Sequence, residues 1–187
     1  MKFRDLTADD IEVRVQSVKQ NGLILLLYKN ARVDMAILDE TVGPQCWQRE
    51  HYECKGNLFC RVGIDINYEH ADFDAEWVWK SDCGVESNTE AQKGEASDSF
   101  KRACFNWGIG RELYTSPFIW VPASKCNIME KQDNRGKTIH VCYDRFTVEK
   151  IVVENKRIVG LSIINTSIQS DKMADKRVFV LVPEDKQ

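Results

Sequence analysis

The sequence predicts an α+β fold built on a three-stranded antiparallel meander that packs against one long helix. Three strand candidates follow one another at residues 46–54, 58–67 and 77–85, and the middle one alternates apolar and polar residues cleanly. A long helical pattern comes next, and a series of short strand candidates follows it. Strands and helices segregated in this way are typical of α+β proteins and not of a parallel α/β sheet.

The N-terminal segment predicts a helix, a strand and a second helix. Thr7 or Asp9 is placed to cap a short helix carrying the apolar residues that begin at Ile11. An unbroken apolar run at 23–28 follows the turn residues 21–22 and predicts a strand. The helix expected at 30–42 ends at Gly43-Pro44.

The long helix is expected at residues 89–113. Ala96, Phe100, Ala103 and Trp107 recur at offsets of four, three and four, which places them on one apolar stripe. The opposite side is polar, and glycines at 108 and 110 end the regular part or bend it. The polar side carries Lys93, Ser97, Asp98, Lys101, Arg102 and Asn106.

The remainder of the chain is rich in strand candidates. We expect strands at 117–121 and 139–143, a hairpin of 146–153 with 157–164, and a last strand at 177–182. Residues 123–136 and 169–176 are polar and are expected to be irregular. We therefore divide the chain into a core at 1–120 and a β-rich extension at 121–187 that packs on or beside it.

Composition narrows the class of protein. The chain has 187 residues, with 26 basic and 29 acidic side chains and a net charge of −3, whereas polyanion binders are usually basic. Net charge averages over the whole surface, so this objection stays open. No apolar run approaches the roughly 20 residues of a membrane span, and no secretory signal precedes residue 11.

The sequence contains no recognisable motif for a metal site, a cofactor site or a catalytic nucleophile. The 7 cysteines include no C-x-x-C pair, so we expect reduced, buried thiols and no zinc site. Neither a phosphate-binding glycine loop nor a nucleophile elbow is present. His51, His70 and His140 share no ligand spacing and are expected on the surface or on strands. We expect no cofactor, no metal and no catalytic residue.

One acidic stretch keeps an enzymatic alternative open. Its five carboxylates have the chemistry to hold Mg²⁺ in a nuclease. A solvated hairpin tip is the favoured explanation, because nuclease carboxylates usually come from several elements and these lie on one connection. Without them the chain has 26 basic and 24 acidic residues, so the acidity is local and does not exclude a DNA partner. The five residues are Asp65, Glu69, Asp72, Asp74 and Glu76.

The polar side of the long helix suits a phosphate backbone. Lys101 and Arg102 are adjacent, and Lys93 lies two turns earlier in line with Lys101, so the three can meet consecutive phosphates of one strand. A solvated helix with an Asp98–Arg102 pair explains the same residues. A non-catalytic interaction module therefore remains a further alternative.

The segment 93–114, KGEASDSFKRACFNWGIGRELY, resembles the signature helix of the Rad52 superfamily of single-strand DNA annealing proteins. It is most similar to the short phage-encoded members found beside Sak-type and Red-beta-like recombinases. The family pattern is a lysine, small residues, Ser/Thr-Asp, an apolar residue, Lys-Arg-Ala, an aromatic residue and a glycine. These positions are Lys93, Ala96, Ser97-Asp98, Phe100, Lys101-Arg102-Ala103, Trp107 and Gly108.

A second block, residues 11–47, resembles the family's N-terminal helix, strand and helix. The resemblance implies that Arg14 matches the DNA-binding arginine of the first helix and that Lys101 and Arg102 match the paired basic residues of the inner groove. Lys93 matches a further lysine. Eukaryotic members carry another basic residue where this chain has Phe105-Asn106, and we assign no site within 121–187.

The resemblance implies a function without bond chemistry. It implies a β-β-β-α core, binding of single-stranded DNA without sequence specificity, and annealing of complementary strands in recombination and repair. It further implies a homo-oligomeric ring or filament and a phage or prophage origin. A single-strand-binding protein and an exonuclease are the expected partners, and the cytoplasm of a bacterial host, at the nucleoid, is the expected location.

Overall fold

The computed structural model describes residues 1–70, 72–85 and 91–183. Its helices are α1 (Ala31–Val42), α2 (Ala91–Trp107) and α3 (Met173–Lys176). The strands, all paired antiparallel, are β1 (Glu12–Lys19), β2 (Gly22–Tyr28), β3 (Trp47–Cys54), β4 (Asn57–Asp65), β5 (Trp77–Cys83), β6 (Ile119–Pro122), β7 (Ile128–Gln132), β8 (Thr138–Cys142), β9 (Phe146–Glu154), β10 (Arg157–Asn165) and β11 (Arg177–Leu181). The predicted α+β class is confirmed.

The chain forms two compact units. The first unit comprises Met1–Asp5 and Asn30–Arg111, and the second comprises Leu6–Lys29 and Glu112–Gln187. Each unit is assembled from two separated stretches of chain, so sequence neighbours are not always partners in packing. The division into an annealing core at 1–120 and an extension at 121–187 is a functional one and stays a prediction.

The first unit is a three-stranded sheet in the order β3-β4-β5, against which α2 packs. Cys60, Val62 and Ile64 alternate along β4 and are fully buried, as the predicted shared face requires. Ile66, expected on the same face, follows the end of β4 and is exposed. Helix α1 begins at the predicted place because the Asn30 side chain accepts the Arg32 N–H, at 2.9 Å.

The second unit contains a six-stranded sheet in the order β11-β10-β9-β1-β2-β6 and a separate two-stranded sheet of β7 and β8. The hairpin of β9 and β10 forms as predicted, and its turn places Asn155 and Lys156 at positive φ. Leu161 and Ile163 of β10 are buried in this unit.

The predicted N-terminal helix is wrong. After a single 3₁₀ turn at Ala8–Asp10, closed by reciprocal hydrogen bonds between Thr7 and Asp10, the chain enters strand β1. Val13 and Val15 alternate with polar residues, and the period of two and the β-branched side chains suit a strand. Pairing of β1 with β2 across the turn at 20–21 then satisfies the backbone groups of both segments.

Three other boundaries differ from the prediction. The polar segment 123–136 contains β7, whose side chains are nearly all exposed, so no apolar alternation marks it. Helix α3 lies within the polar segment 169–176. The predicted first residue of the long helix, Thr89, lies outside the described residues, and α2 ends at Trp107 because Gly108 adopts a φ of +100°.

The cysteines are free, but most are not buried. Cys60 and Cys104 are buried, Cys54 is exposed, and the other four are half-buried. Burial raises the pKa of the Cys60 thiol to about 11. The expectation of buried thiols is therefore correct for two of the seven. No helix in the described ranges is long and apolar enough to cross a membrane.

An ion pair in the second unit makes the stability of the fold depend on pH in the acid range. Hydrogen bonds from Arg177 and Ser162, at 2.6 Å each, hold the pKa of Glu149 at about 2, below its ordinary 4.5. The charged carboxylate therefore stabilises the fold fully above pH 4.5, and this contribution is lost as pH falls toward 2. We expect Glu149→Gln to lower the urea midpoint at pH 7. The gap to wild type should close below pH 4.5, and a constant gap would contradict the assignment.

Candidate nucleic-acid interface

Helix α2 is held by its buried face, which fixes the direction of its polar face. Phe100, Ala103 and Cys104 are fully buried, and the Trp107 indole N–H donates to the Val62 carbonyl at 2.9 Å. The predicted apolar stripe is therefore the packing face of the helix. Ser99 is also fully buried, and its hydroxyl donates to the Ala96 carbonyl at 3.0 Å, so it belongs to the packing face.

Two basic residues of the sheet contact aromatic side chains of helix α2 from below. The guanidinium carbon of Arg49 on β3 lies 4.8 Å from the centroid of the Phe100 ring. The ammonium of Lys80 on β5 lies 4.6 Å from the Trp107 ring centroid and donates to the Asn106 carbonyl at 2.9 Å. Both are cation–π contacts that tie the sheet to the helix. The sequence patterns did not identify either residue.

Lys101 and Arg102 lie together on the polar side of α2, and both are half-exposed. The Arg102 Nε is 3.4 Å from Asp82 Oδ1 on β5, so the guanidinium is anchored at the sheet edge. No hydrogen bond or ion pair engages Lys101 within the part of the chain that the structure describes. The pair thus combines one positioned cation with one uncommitted cation, which suits contact with adjacent phosphates.

The other predicted candidates lie in different places. Lys93 is exposed in the first turn of α2, on the same helix as the Lys101-Arg102 pair. Asp98, the alternative partner of Arg102, accepts the Val85 N–H at 3.1 Å. Asn106 is committed to the sheet, since its amide donates to the Ser81 carbonyl at 2.9 Å.

Arg14 is not on a helix. It lies exposed on β1 of the second unit, with its guanidinium carbon 5.7 Å from the Tyr28 ring centroid. The arginine carried by an N-terminal helix is Arg32, in the first turn of α1 and within the first unit. The helical placement of Arg14 is corrected here, whereas its DNA contact stays a prediction.

A basic side chain that the sequence patterns did not identify lies at the C-terminal end of α2. Arg111 is exposed, and its Nε and Nη2 donate to the carbonyls of Phe105 and Asn106 at 2.8 and 3.0 Å. A guanidinium there satisfies helix carbonyls and favours the negative end of the helix dipole. Arg111 therefore places a basic side chain beside Phe105 and Asn106 at the end of α2.

The acidic stretch between β4 and β5, from here on called the acidic connection, has a structural role at its start. Asp65 Oδ1 accepts the backbone N–H groups of Asn67 and Glu76, at 3.0 and 2.9 Å, and closes the base of the loop. Across residues 1–70, 72–85 and 91–183, no group of three or more Asp, Glu, His or Cys side chains is arranged to hold a metal ion. The nuclease alternative therefore gains no support from this segment.

Trp79 on β5 lies against the backbone of β4. A Cβ added at Gly63 would come within 2.9 Å of three ring atoms of Trp79, so the indole needs a glycine at this position. We expect Gly63→Ala to destabilise the protein by about 1–3 kcal/mol, because the ring or the strand must move. Urea unfolding followed by tryptophan fluorescence measures the change.

A double-mutant cycle provides the control for this contact. In a Trp79→Ala background, where the ring is absent, adding Gly63→Ala should cost less than it does in wild type. Equal costs in the two backgrounds would show that the indole is not what the added methyl group meets.

A family model described as Rad52/22 family double-strand break repair protein matches residues 4–132, which is well over half of the chain. No curated protein and no solved structure matches the chain. The matched range includes β3, β4, β5 and α2 together with Arg14, Lys93, Lys101 and Arg102.

Proposed function

Since the chain belongs to the Rad52/22 family of double-strand break repair proteins, we propose that it binds single-stranded DNA without sequence preference and anneals complementary strands. Membership places the protein in DNA recombination and repair. The observation that carries the finer proposal is the Lys101-Arg102 pair, half-exposed on a helix whose packing face carries the fully buried Phe100, Ala103 and Cys104. The phage or prophage origin implied by the resemblance is part of the same proposal.

Annealing requires the protein to neutralise phosphates while it leaves the base edges accessible. Cations that contact only the backbone do this, because phosphates carry no sequence information. In our proposal Lys101 contacts one phosphate directly, and Arg102 exchanges part of its contact with Asp82 for a neighbouring phosphate. Base pairing supplies the free energy of duplex formation. No bond is made or broken, so we propose that the protein is not an enzyme and needs no cofactor.

The binding path extends beyond the pair. Lys93, exposed in the first turn of α2, is a further proposed contact and lies about 80° around the helix axis from Lys101. Arg111 is a proposed contact past the C-terminal end of α2. We include Arg32 because the resemblance implies an arginine on the N-terminal helix, and α1 is the helix that carries one. Arg14 remains a candidate contact made from the second unit. We propose that the sheet of β3–β5 together with α2 corresponds to the β-β-β-α core of the family.

We propose that the protein acts as a homo-oligomer, either a ring or a filament, because one short helix face contacts only a few nucleotides. Repetition of that face around an assembly extends the bound strand and multiplies weak contacts. A single-strand-binding protein and an exonuclease are the proposed partners, at the nucleoid in the cytoplasm of a bacterial host. These proposals rest on the resemblance.

A single gel experiment tests the function. Two labelled complementary oligonucleotides are mixed with the protein, with and without Mg²⁺, and duplex formation is followed over time. We expect faster duplex formation at low salt, loss of the effect as salt rises, and no requirement for Mg²⁺. Shortened products that depend on Mg²⁺ would indicate a nuclease instead. Unchanged rates together with no strand binding at low salt would overturn both nucleic-acid functions.

A further inference from the structure

The sheet of β3–β5 has a second face, opposite α2, that carries a row of aromatic side chains. The register pairs Tyr52 with Phe59 and Gly63 with Trp79, and Trp77 pairs with Asp65 in the same set of alternating positions. Directly paired residues point to the same side of a sheet. We call the surface formed by Tyr52, Phe59, Trp77 and Trp79 the aromatic face.

These rings contact one another and not helix α2. Tyr52 and Phe59 are stacked with centroids 5.5 Å apart, and the Trp77 and Trp79 centroids are 6.3 Å apart. Arg61 lies over the Trp79 ring at 4.4 Å. The tyrosine is exposed and the other three rings are half-exposed, so two aromatic pairs reach solvent, with the Arg61–Glu50 ion pair between them. Aromatic residues and arginine are enriched at protein–protein interfaces, so this surface is suited to interaction with another molecule.

The charges around the aromatic face disfavour DNA as its ligand. The Arg61 guanidinium is already neutralised by Glu50, with both contacts to Oε2 at 2.6 and 2.9 Å. The acidic connection leads directly into Trp77, and no Lys or Arg stands between Val62 and Trp79. A phosphate backbone would be repelled here, whereas a protein surface with positive charge and some apolar area would be attracted.

This chain has a surface of that kind in its second unit. The two-stranded sheet of β7 and β8 lies against the six-stranded sheet through β8 and β1, whereas β7 is exposed along nearly its whole length, including Met129. Residues 125–137 carry four basic side chains against two acidic ones. The basic residues are Lys125, Lys131, Arg135 and Lys137.

We propose that the β7–β8 hairpin of one copy docks on the aromatic face of the next copy. Met129 and the stacked rings supply apolar contact, and the basic hairpin meets the acidic connection beside Trp77. The contact joins two different surfaces of the same chain, so it is heterologous and repeats head to tail, which produces a closed ring or a helical filament. This inference rests on the homo-oligomer of the proposed function and identifies the surfaces that form it.

Charge reversal on each side tests the pairing. Arg135→Glu with Lys137→Glu changes the hairpin tip, whose turn is held by the Asp133 carboxylate through backbone N–H groups and not through these side chains. Asp74→Lys with Glu76→Lys changes the acidic connection and leaves the Asp65 contacts in place. Lys172→Glu with Lys176→Glu is the matched control, since it reverses two charges at the two ends of α3, one at the N-cap and one in the last turn.

Sedimentation velocity of the full chain at 50 mM salt, over a range of concentrations, measures the assembly. We expect each reversal to weaken association about tenfold, the control pair to leave it unchanged, and the two reversals combined to restore most of it. Circular dichroism checks that each variant is folded. The corresponding alanine variants should shift association in the same direction by a smaller factor.

Three results would overturn the interface. These are a wild-type monomer at every concentration, an assembly that neither reversal weakens, and single reversals that weaken it without mutual rescue. The proposed function is assessed separately by the annealing gel. An annealing protein whose assembly ignores these charges would contradict only the interface, whereas an assembly that responds to them without annealing would contradict only the function.

Discussion

Replacing Lys101 and Arg102 together with alanine is expected to weaken single-strand binding about 100-fold at low salt. Each charge-assisted contact with a phosphate contributes about 1.5–3 kcal/mol, so two lost contacts at the low end of this range amount to about 3 kcal/mol, which is on the order of 100-fold in affinity. The slope of log affinity against log salt should also become shallower by about 1.4, because each single-strand phosphate contact contributes about 0.7. Fluorescence anisotropy measures both quantities in one salt series. The labelled oligonucleotide is too short to span two binding sites, so that one contact surface is measured.

The fold should survive this change, which makes the result interpretable. The Arg102–Asp82 pair is partly exposed, so its loss costs at most about 1 kcal/mol of stability. Lys172→Ala with Lys176→Ala removes the same charge outside the matched residues 4–132 and should leave the affinity within about twofold. A folded double variant with unchanged affinity and salt slope would show that the binding face lies elsewhere.

Phe100→Ala is expected to destabilise the protein by about 3–5 kcal/mol, the usual cost of removing a buried phenylalanine. Its ring is fully buried, lies beneath the Arg49 guanidinium at 4.8 Å and is stacked with Trp47 at 6.1 Å between centroids. Both partners lie on β3, so the variant loses packing between α2 and the sheet. Urea unfolding monitored by circular dichroism gives the free energy of unfolding.

Phe100→Leu separates packing from chemistry at this position. Leucine keeps most of the buried volume but has no aromatic ring for the Arg49 guanidinium to contact. We therefore expect a loss of about 1–1.5 kcal/mol, well below that of alanine. Single-strand binding should fall in step with the folded fraction and not beyond it, since Phe100 is buried beneath the binding face. A stable Phe100→Ala protein would contradict the packing of α2 on the sheet.

Local patterns accounted for the elements whose side chains alternate or recur in register with their own backbone. Strand β4 was predictable because Cys60, Val62 and Ile64 repeat every second residue, and α2 because its apolar residues repeat every three or four. Helix α1 was predictable from a cap and a terminating glycine. Strand β7 could not be found in this way, because its two apolar residues, Ile128 and Met129, are adjacent and do not alternate with polar ones, so that its pairing with β8 defines it.

The binding candidates show the same division. The adjacency of Lys101 and Arg102 is a property of the sequence, and any helix would place them on neighbouring positions. Whether they are accessible depends on the partners of the helix. The structure commits Ser99 and Asn106 to internal hydrogen bonds, engages Arg102 with Asp82, and brings Arg111 back to the carbonyls at the end of α2.

By itself the sequence determined the class of fold, the long helix with its buried stripe and polar face, and the motif that identifies the family. These features depend on residues that are close together in the chain. The regular geometry of a helix or strand fixes which of those residues share a face. Only the tertiary structure decided that Arg14 lies on a strand, because β1 is defined by its ladder with β2. Only the tertiary structure placed β1 and β2 in one sheet with β9, β10 and β11, and aligned the aromatic face across three strands. Both depend on hydrogen bonds between residues far apart in the chain, which no local pattern records.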